Sequence, residues 1–399
     1  MPMPVRLAYL VSHPIQYQAP LLRRISAEPG IDLTVYFMND FSVRSYKDPG
    51  FGVDFKWDVP LLEGYKSEFL QPTASESELS YFKPYSRGLK SFLNPSKHDA
   101  VWVHGYHQIT LIRAILTAKR NGLKVLVRSE NQRVTATRPT GIGGAAKELA
   151  VKRVLSLIDG ALTIGKLNRD YYLSLGVPEG RLFPMPYAVE NSRFIAAAEA
   201  ARPKREEFRA ELGLEPGRPI VLFASKFQGR KRPGDLYEAF KGLSGSPKPY
   251  LLFVGDGEDR AELQQRAATE GQDSVRFFGF QNQTVLPRFL DLCNVFVLPS
   301  FAEPWGLAIN EAMCSSKCVI VTDEVGCAPD LVADGVNGRV FPAGDVNALR
   351  DCLQDVLSNP GRCEAMGKES LRIISGCDFE ADVRGLNAAL ASVARLAVA

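Results

Sequence analysis

Glu303 and Glu311 are separated by seven residues in a stretch that reads V-F-V-L-P-S-F-A-E-P-W-G-L-A-I-N-E-A-M from Val295 onward. Two carboxylates can accept hydrogen bonds from the hydroxyls of a polyol, and the residues around them say what they would face. Val295–Leu298 is an apolar run stopped by Pro299, as a buried parallel strand is before a loop. From Trp305 the spacing turns helical, with Ala308, Ile309, Ala312 and Met313 on one face, Pro304 at the start and Gly306 in the first turn. A helix that begins at the carboxyl end of such a strand offers unpaired N–H groups and the positive end of its dipole, which suits a diphosphate. Gly306 admits a phosphate close to the backbone, so Trp305, Gly306 and Leu307 are candidate ligand contacts. Glu311 lies about 9 Å along the axis from Trp305, at about 1.5 Å per residue, where ribose hydroxyls would reach it. Glu303, ahead of the helix, faces whatever hangs from the far phosphate.

A second loop complements the first. Ile220–Ala224 is an expected strand, and S-K-F-Q-G-R-K-R-P-G follows from Ser225. Cations at a strand end, close to a diphosphate, stabilise the charge that builds up as it leaves. Lys226 and Lys231 are the candidates, and Arg230 and Arg232 read as solvated neighbours. Residues 275–280 form a further strand-like run ending in Phe278 and Phe280. Asp256 and Glu258 stand before a helical stretch and read as caps rather than as a metal pair.

The glutamate pair in its strand-loop-helix setting, together with P-D-L-V-A-D-G-V-N-G from Pro329, resembles the donor site of the retaining glycosyltransferases of family 4. The resemblance implies an α/β chain of GT-B fold, with two Rossmann-like domains facing across a cleft and a last helix that crosses back to the first. Its division would be an acceptor domain over 1–190, a linker over 191–216, a nucleotide-sugar domain over 217–375 and the crossover helix over 376–399. It implies transfer of a hexose-type sugar from a UDP- or GDP-sugar co-substrate to a hydroxyl of a glycan, lipid or small molecule, with retention of configuration and no metal or other cofactor. Lys226 falls where the family has Arg and Lys231 where it has Lys; Lys, a point charge, lacks the bidentate contact of Arg. Glu311 takes the ribose, Glu303 the hexose hydroxyls, and Phe278 and Phe280 the base. Replacing Lys226 or Glu303 by alanine is then expected to lower turnover while sparing the fold. A non-catalytic nucleotide-sugar or glycan-binding protein, and a nucleotide-sugar epimerase on the same architecture, stay open as alternatives.

In the first half, a strand over 6–11 leads to S-H-P-I-Q-Y-Q-A-P, the loop where open α/β sheets place ligands. The paired glycines that many family members have there are missing, and His13, Gln16 and Tyr17 read as a variant wall. A strand over 32–38 precedes an aromatic-rich insertion over 39–70 with Phe41, Tyr46, Phe51, Phe55, Trp57 and Tyr65, a candidate for acceptor recognition. Residues 81–92, with Lys83, Arg87 and Lys90, read as a basic helix-like piece able to lie on anionic lipid. Asp99, Val101 and His104 match the family's D-x-V-x-x-H, whose histidine touches the donor sugar. Arg128 ends another expected strand, Lys124–Arg128, and with Glu130 and Arg133 after it is placed on the acceptor side. Gly141 to Ala146 spells a dinucleotide fingerprint, but far from the preceding strand and after Pro139, so a nicotinamide site is not expected.

Length and composition agree with this division. At 399 residues, 45% hydrophobic and 23% charged, the chain has material for two cores. The net charge of +3 hides an imbalance, with 24 Lys and Arg against 17 Asp and Glu over 1–190 and 24 against 28 beyond. A basic first half suits an anionic acceptor or membrane surface; no nucleic-acid partner is expected. All seven cysteines lie in the second half, an odd number that reads as buried thiols rather than a disulfide framework or a zinc site. No run reaches the roughly 18 apolar residues of a spanning helix, and residues 7–11 are too short for a signal peptide. The expected place is the cytosol, or the inner face of the membrane as a peripheral protein.

Overall fold

The computed structural model describes residues 3–44, 46–47, 52, 54–70, 79–132, 141–245 and 247–395. The chain divides into two compact units: one of 1–46, 59–187 and 379–399, the other of 47–58 and 188–378. The expected Arg133 and Phe51 fall outside the described residues.

The first unit holds a seven-stranded parallel sheet in the order Lys66–Phe69, Ile31–Phe37, Val5–Val11, Ala100–His104, Lys124–Arg128, Gly160–Thr163, Leu182–Pro184. Alternation along each strand sends neighbours to opposite faces. Leu7, Tyr9 and Val11 pack with Leu21, Leu22 and Ile25 of the helix Ala19–Ser26 and with Leu386 and Leu390 of the helix Phe379–Arg395. Ala8 and Leu10 pack on the other side with Leu111, Ala114 and Ile115 of the helix Ile109–Arg120. Both faces are covered, as a parallel sheet requires.

The second unit holds six parallel strands in the order Val275–Phe277, Tyr250–Val254, Ile220–Ala224, Val295–Leu298, Cys318–Thr322, Gly338–Phe341. Its helices include Pro233–Lys241, Arg260–Thr269, Leu307–Cys314, Val346–Leu357 and Pro360–Ile374. All seven cysteines are buried and unbridged. In each sheet the chain starts in an inner strand, winds outward, then returns to the other side of its first strand, so strand order reverses beside that strand. This two-unit α/β arrangement is the GT-B fold.

Several local expectations give way. Residues 81–88 are not helical; only Leu89–Phe92 is, because Pro84 lacks the amide a helix needs and Gly88 is left-handed at φ 75°. The strand expected over 275–280 stops at Phe277, where the chain turns through Gly279 at φ 66°. Asp256 caps no helix: its carboxylate accepts from Gly257 N–H and from the Arg260 guanidinium. Arg128 is 1% exposed and bound to Asp382, so it is an interior cation rather than an acceptor-facing one. Gly141–Leu155 is one helix, and its glycines form no strand-to-helix turn.

Candidate functional site

In the second sheet the order reverses between Ile220–Ala224 and Val295–Leu298, paired at Val221 with Val295 and Leu222 with Phe296. Ligands of open α/β sheets lie beyond the carboxyl ends of such strands. The loops leaving these two strands are the ones that carry the cations and Glu303. Lys231 ends the short 3-10 turn Gly229–Lys231, and its ammonium donates to Glu303 Oε2. Arg230 Nη1 donates to the same oxygen at 3.0 Å, so Arg230 is a partner of the site and not merely a solvated neighbour. Arg232, by contrast, binds Asp235. Burial lowers the Lys231 pKa, Glu303 opposes that, and the charges of Arg230 and Lys226 add to the lowering. Lys226 therefore shares this electrostatic neighbourhood. The carboxylate favours the charged form of Lys231 in a place where burial disfavours it.

The helix after Glu303 begins later than its spacing suggests. Residues 303–305 run extended beside 324–327: Glu303 N–H donates to Glu324 O at 3.1 Å, Gly326 N–H to Glu303 O at 2.9 Å and Cys327 N–H to Trp305 O at 3.0 Å. Those bonds hold the chain out of helical geometry until Gly306, left-handed at φ 97°, turns it into the helix Leu307–Cys314. A Cβ at Gly306 would stand 3.0 Å from Leu298, 3.1 Å from Val325 and 3.7 Å from the Glu303 side chain. Gly306 thus lies against the Glu303 side chain, whose carboxylate takes the two cations. Trp305 is 3% exposed with its indole donating to Asn310, so its side chain supports the loop instead of meeting a ligand. Leu307 is half-buried at the first helical position.

Glu311, one turn on, is linked through Gln283 to Arg193, whose Nη2 donates to Gln283 Oε1 at 2.7 Å. Removal from water raises its pKa to about 7, with Arg193 and Gln283 pulling the other way. The folded state holds this proton more tightly than the unfolded chain does, so the associated stability is complete below about pH 4.5 and is lost as pH rises through 7. Glu311→Gln removes that titration. The variant should melt with wild type at pH 4 and be more stable at pH 8, by up to about 3 kcal/mol. Thermal unfolding at both pH values checks this; equal melting at pH 8 would mean that Glu311 is not withdrawn from water. Phe278 packs on Phe289, centroids 5.2 Å apart, and Phe280 on Trp57.

The first unit carries its own cluster where its strand order reverses, between Val5–Val11 and Ala100–His104. His104 ends its strand with Tyr9 Oη 3.0 Å from Nδ1 and Tyr187 Oη 3.2 Å from Nε2. Tyr187 donates to Glu130 Oε1 at 2.7 Å, and Tyr17 to the same oxygen at 3.2 Å. The Tyr9 hydroxyl gives its one proton to Gln18 Oε1, so Nδ1–H of the neutral ring donates to the Tyr9 oxygen and Nε2 accepts from the Gln18 amide N–H. The Gln18 amide closes the circuit, 2.8 Å from Tyr9 Oη and 3.2 Å from Nε2. Burial, then the charges of Arg128 and His13, lower the His104 pKa to about 3, so the ring is neutral at any physiological pH. Tyr9, Tyr17 and Tyr187 are all pushed well above the ordinary phenol range, chiefly by burial. His13 bonds Ser12 Oγ at 2.8 Å, and Gln16 is half-buried in the turn before Gln18. Sequence reading brought His104, Tyr17 and Glu130 here but missed Tyr9, Gln18 and the hydroxyl of Tyr187. Tyr9 is hidden inside an apolar strand; the signal was the even spacing that puts it on the face of Leu7 and Val11.

Comparison with known proteins places the chain among sequences and folds already described. Residues 204–372 match the family model described as Glycosyl transferases group 1. The chain is 28% identical over 196 residues to alpha-D-kanosaminyltransferase of Streptomyces kanamyceticus, covering 49% of this chain and 50% of that protein. It is 28% identical over 226 residues to the GDP-mannose-dependent alpha-(1-6)-phosphatidylinositol monomannoside mannosyltransferase of Mycolicibacterium smegmatis, covering 55% and 58%. The chain spans about half the length of the curated relatives it matches. Among solved structures, Anabaena HepE in complex with UDP aligns with a TM-score of 0.73 at 15% identity, over 97% of this chain and 100% of that one. Sucrose-phosphate synthase from Thermosynechococcus elongatus aligns with a TM-score of 0.70 at 20% identity, over the whole of both. Residues 204–372, which contain both carboxylates, both lysines and the Gly306 turn, are thus the part of this GT-B chain that matches glycosyl transferases group 1.

Proposed function

We propose that this chain transfers a hexose-type sugar from a nucleoside diphosphate to a hydroxyl acceptor with retention of anomeric configuration. The observation that carries the reading is the meeting of Lys231, Arg230 and Glu303, with Gly306 against the Glu303 side chain, at the strand-order reversal of the second sheet. In this reading the bond from the sugar C1 to the diphosphate oxygen breaks and the acceptor oxygen forms the new bond to C1. The acceptor proton passes to the departing diphosphate. Negative charge growing on the diphosphate is met by Lys226, Lys231 and the N–H groups at Gly306, the part a metal would otherwise take. Glu303 receives the hexose hydroxyls and Glu311 the ribose. A neutral His104, held by Tyr9 and Gln18, is the uncharged ring this reading offers to the sugar, where a permanent cation would oppose the positive charge developing at C1.

The acceptor is a glycan, lipid or small molecule. Two features support contact of the first unit with an anionic lipid surface: the basic balance of residues 1–190, and the exposed Tyr81, Phe82, Lys83 and Arg87, with Phe82 69% exposed. No helix among the described residues is long and apolar enough to cross a membrane.

The test is thermal unfolding of the full chain with UDP, GDP, ADP and dTDP, since a ligand bound only by the native state raises apparent stability. One nucleotide is expected to raise the melting temperature in wild type and to do so much less in Lys226→Ala. The same nucleotide's sugar is then supplied with and without acceptors, and the anomer of the product determined. No shift with any nucleotide, or sugar conversion without an acceptor, would defeat the proposal.

A further inference from the structure

Residues 54–58 come early in the chain yet belong to the second unit. Three contacts hold this strap on the loop that follows Phe278. Asn282 Nδ2 donates to Lys56 O at 2.8 Å, Thr284 donates its N–H to the Asp58 carboxylate at 3.1 Å and its hydroxyl to the same oxygen, and the Trp57 ring meets Phe280 edge to face, centroids 6.3 Å apart at 67°. The loop works by alternation. Phe280, Asn282 and Thr284 engage the strap, while Gln283 binds Glu311 and Arg193.

Strap, loop and the carboxylate assigned to the ribose therefore form one connected piece. A nucleoside is a compact unit in which base and ribose are joined directly, so a ligand whose hydroxyls sit on Glu311 sets its base down within a side chain or two of that acceptor. The Phe280 and Trp57 rings, set edge to face, make an aromatic corner on the same loop as Gln283, the partner of Glu311. Each nucleobase has a π face, and an aromatic side chain under it contributes independently of hydrogen-bond pattern. Trp57 is only half-buried, whereas Trp102 and Trp305 are 1% and 3% exposed.

We propose that Trp57 is a nucleobase-contacting residue that, with Phe280, receives the base of the nucleoside diphosphate and so helps determine which nucleotide is taken. This rests on the reading of the site under Proposed function. It also reassigns part of the aromatic insertion: residues 54–58 serve the donor, whatever the rest of 39–70 does.

The experiment titrates UDP, GDP, ADP and inorganic pyrophosphate calorimetrically into the full chain and into Trp57→Ala, Trp57→Phe and Asp58→Asn. Trp57→Ala should weaken the preferred nucleotide about fivefold or more, the lower end of what removing a stacking ring costs, while pyrophosphate binding changes less than about twofold. Trp57→Phe should recover most of the affinity, and Asp58→Asn, which weakens the hold of Thr284 on the strap, should behave as a milder Trp57→Ala. Emission gives an independent readout that needs no truncated side chain: nucleotide should quench wild type and leave Trp57→Phe nearly unchanged, because its other two tryptophans are in the interior. Equal nucleotide affinity in Trp57→Ala, or a parallel loss for pyrophosphate, would overturn the proposal by showing a strap that only supports the loop. Failure of wild type to bind any of these three nucleotides or dTDP would instead overturn the transferase reading on which it stands.

Discussion

Glu303→Ala is expected to lower sugar-transfer turnover roughly tenfold or more and to destabilise the second unit by about 3–5 kcal/mol. Read from sequence alone, the carboxylate is a ligand group whose loss spares the fold. The structure changes that expectation, because Glu303 Oε2 is where the Lys231 ammonium and the Arg230 guanidinium both end, with the Glu303 and Lys231 side chains only 10% and 9% exposed. Removing the acceptor leaves a buried ammonium beside two other cations, and breaking a buried pair costs more than the pair contributes. Lysine has one escape: it can release its proton, and burial already lowers its pKa. The destabilisation of Glu303→Ala should therefore shrink as pH rises, while turnover does not recover, since an uncharged Lys231 no longer opposes charge on a diphosphate. Glu303→Gln, with the same shape, should lose less stability and still be slow. Unfolding curves at pH 7 and 9, alongside initial rates, separate these effects. Near-wild-type turnover in both variants would remove Glu303 from the mechanism.

Asp382→Ala should cost a similar amount, about 3–5 kcal/mol, and lower the melting temperature by on the order of 10 °C. Here there is no escape by deprotonation. Arg128 and Asp382 are 1% and 0% exposed in their side chains, and a guanidinium stays charged at any relevant pH. Arg128 Nη2 also donates to the carbonyls of Met185 and Pro186, and the guanidinium lies 4.4 Å from the centre of the Tyr187 ring. Asp382 belongs to the helix Phe379–Arg395, so this single pair ties the chain's last helix to the strand Lys124–Arg128 and to the tyrosine that meets His104. The loss in Asp382→Ala should be the same at pH 6 and pH 9, unlike that of Glu303→Ala. The double variant Arg128→Met with Asp382→Leu should recover most of it, because apolar groups of similar size fill the place without a charge to satisfy. Wild-type stability in Asp382→Ala would show that the pair is not buried as described.

Much of this protein was open to reading one residue after another. Strands such as Val295–Leu298 and Ile220–Ala224 are short apolar runs between loop residues, and their burial on both faces follows from hydrophobicity alone. The candidate residues in the loops behind them could be picked out for the same reason, since Lys226, Lys231, Glu303 and Glu311 are where the chain leaves or follows such a strand. Contacts that link distant segments were not legible. Nothing in the local spacing shows that residues 303–305 run beside 324–327 and delay the helix to Leu307, that Arg230 shares an oxygen with Lys231, or that Arg128 is interior because Asp382 lies 254 positions away. Local propensity and alternation depend on neighbours within a few positions, so they determine which pieces form and which residues stand at their ends. Pairing of polar groups in low dielectric depends on which ends meet, and so the neutral state of His104, the raised pKa of Glu311 and the docking of Trp57 on Phe280 were decided only when the chain was folded.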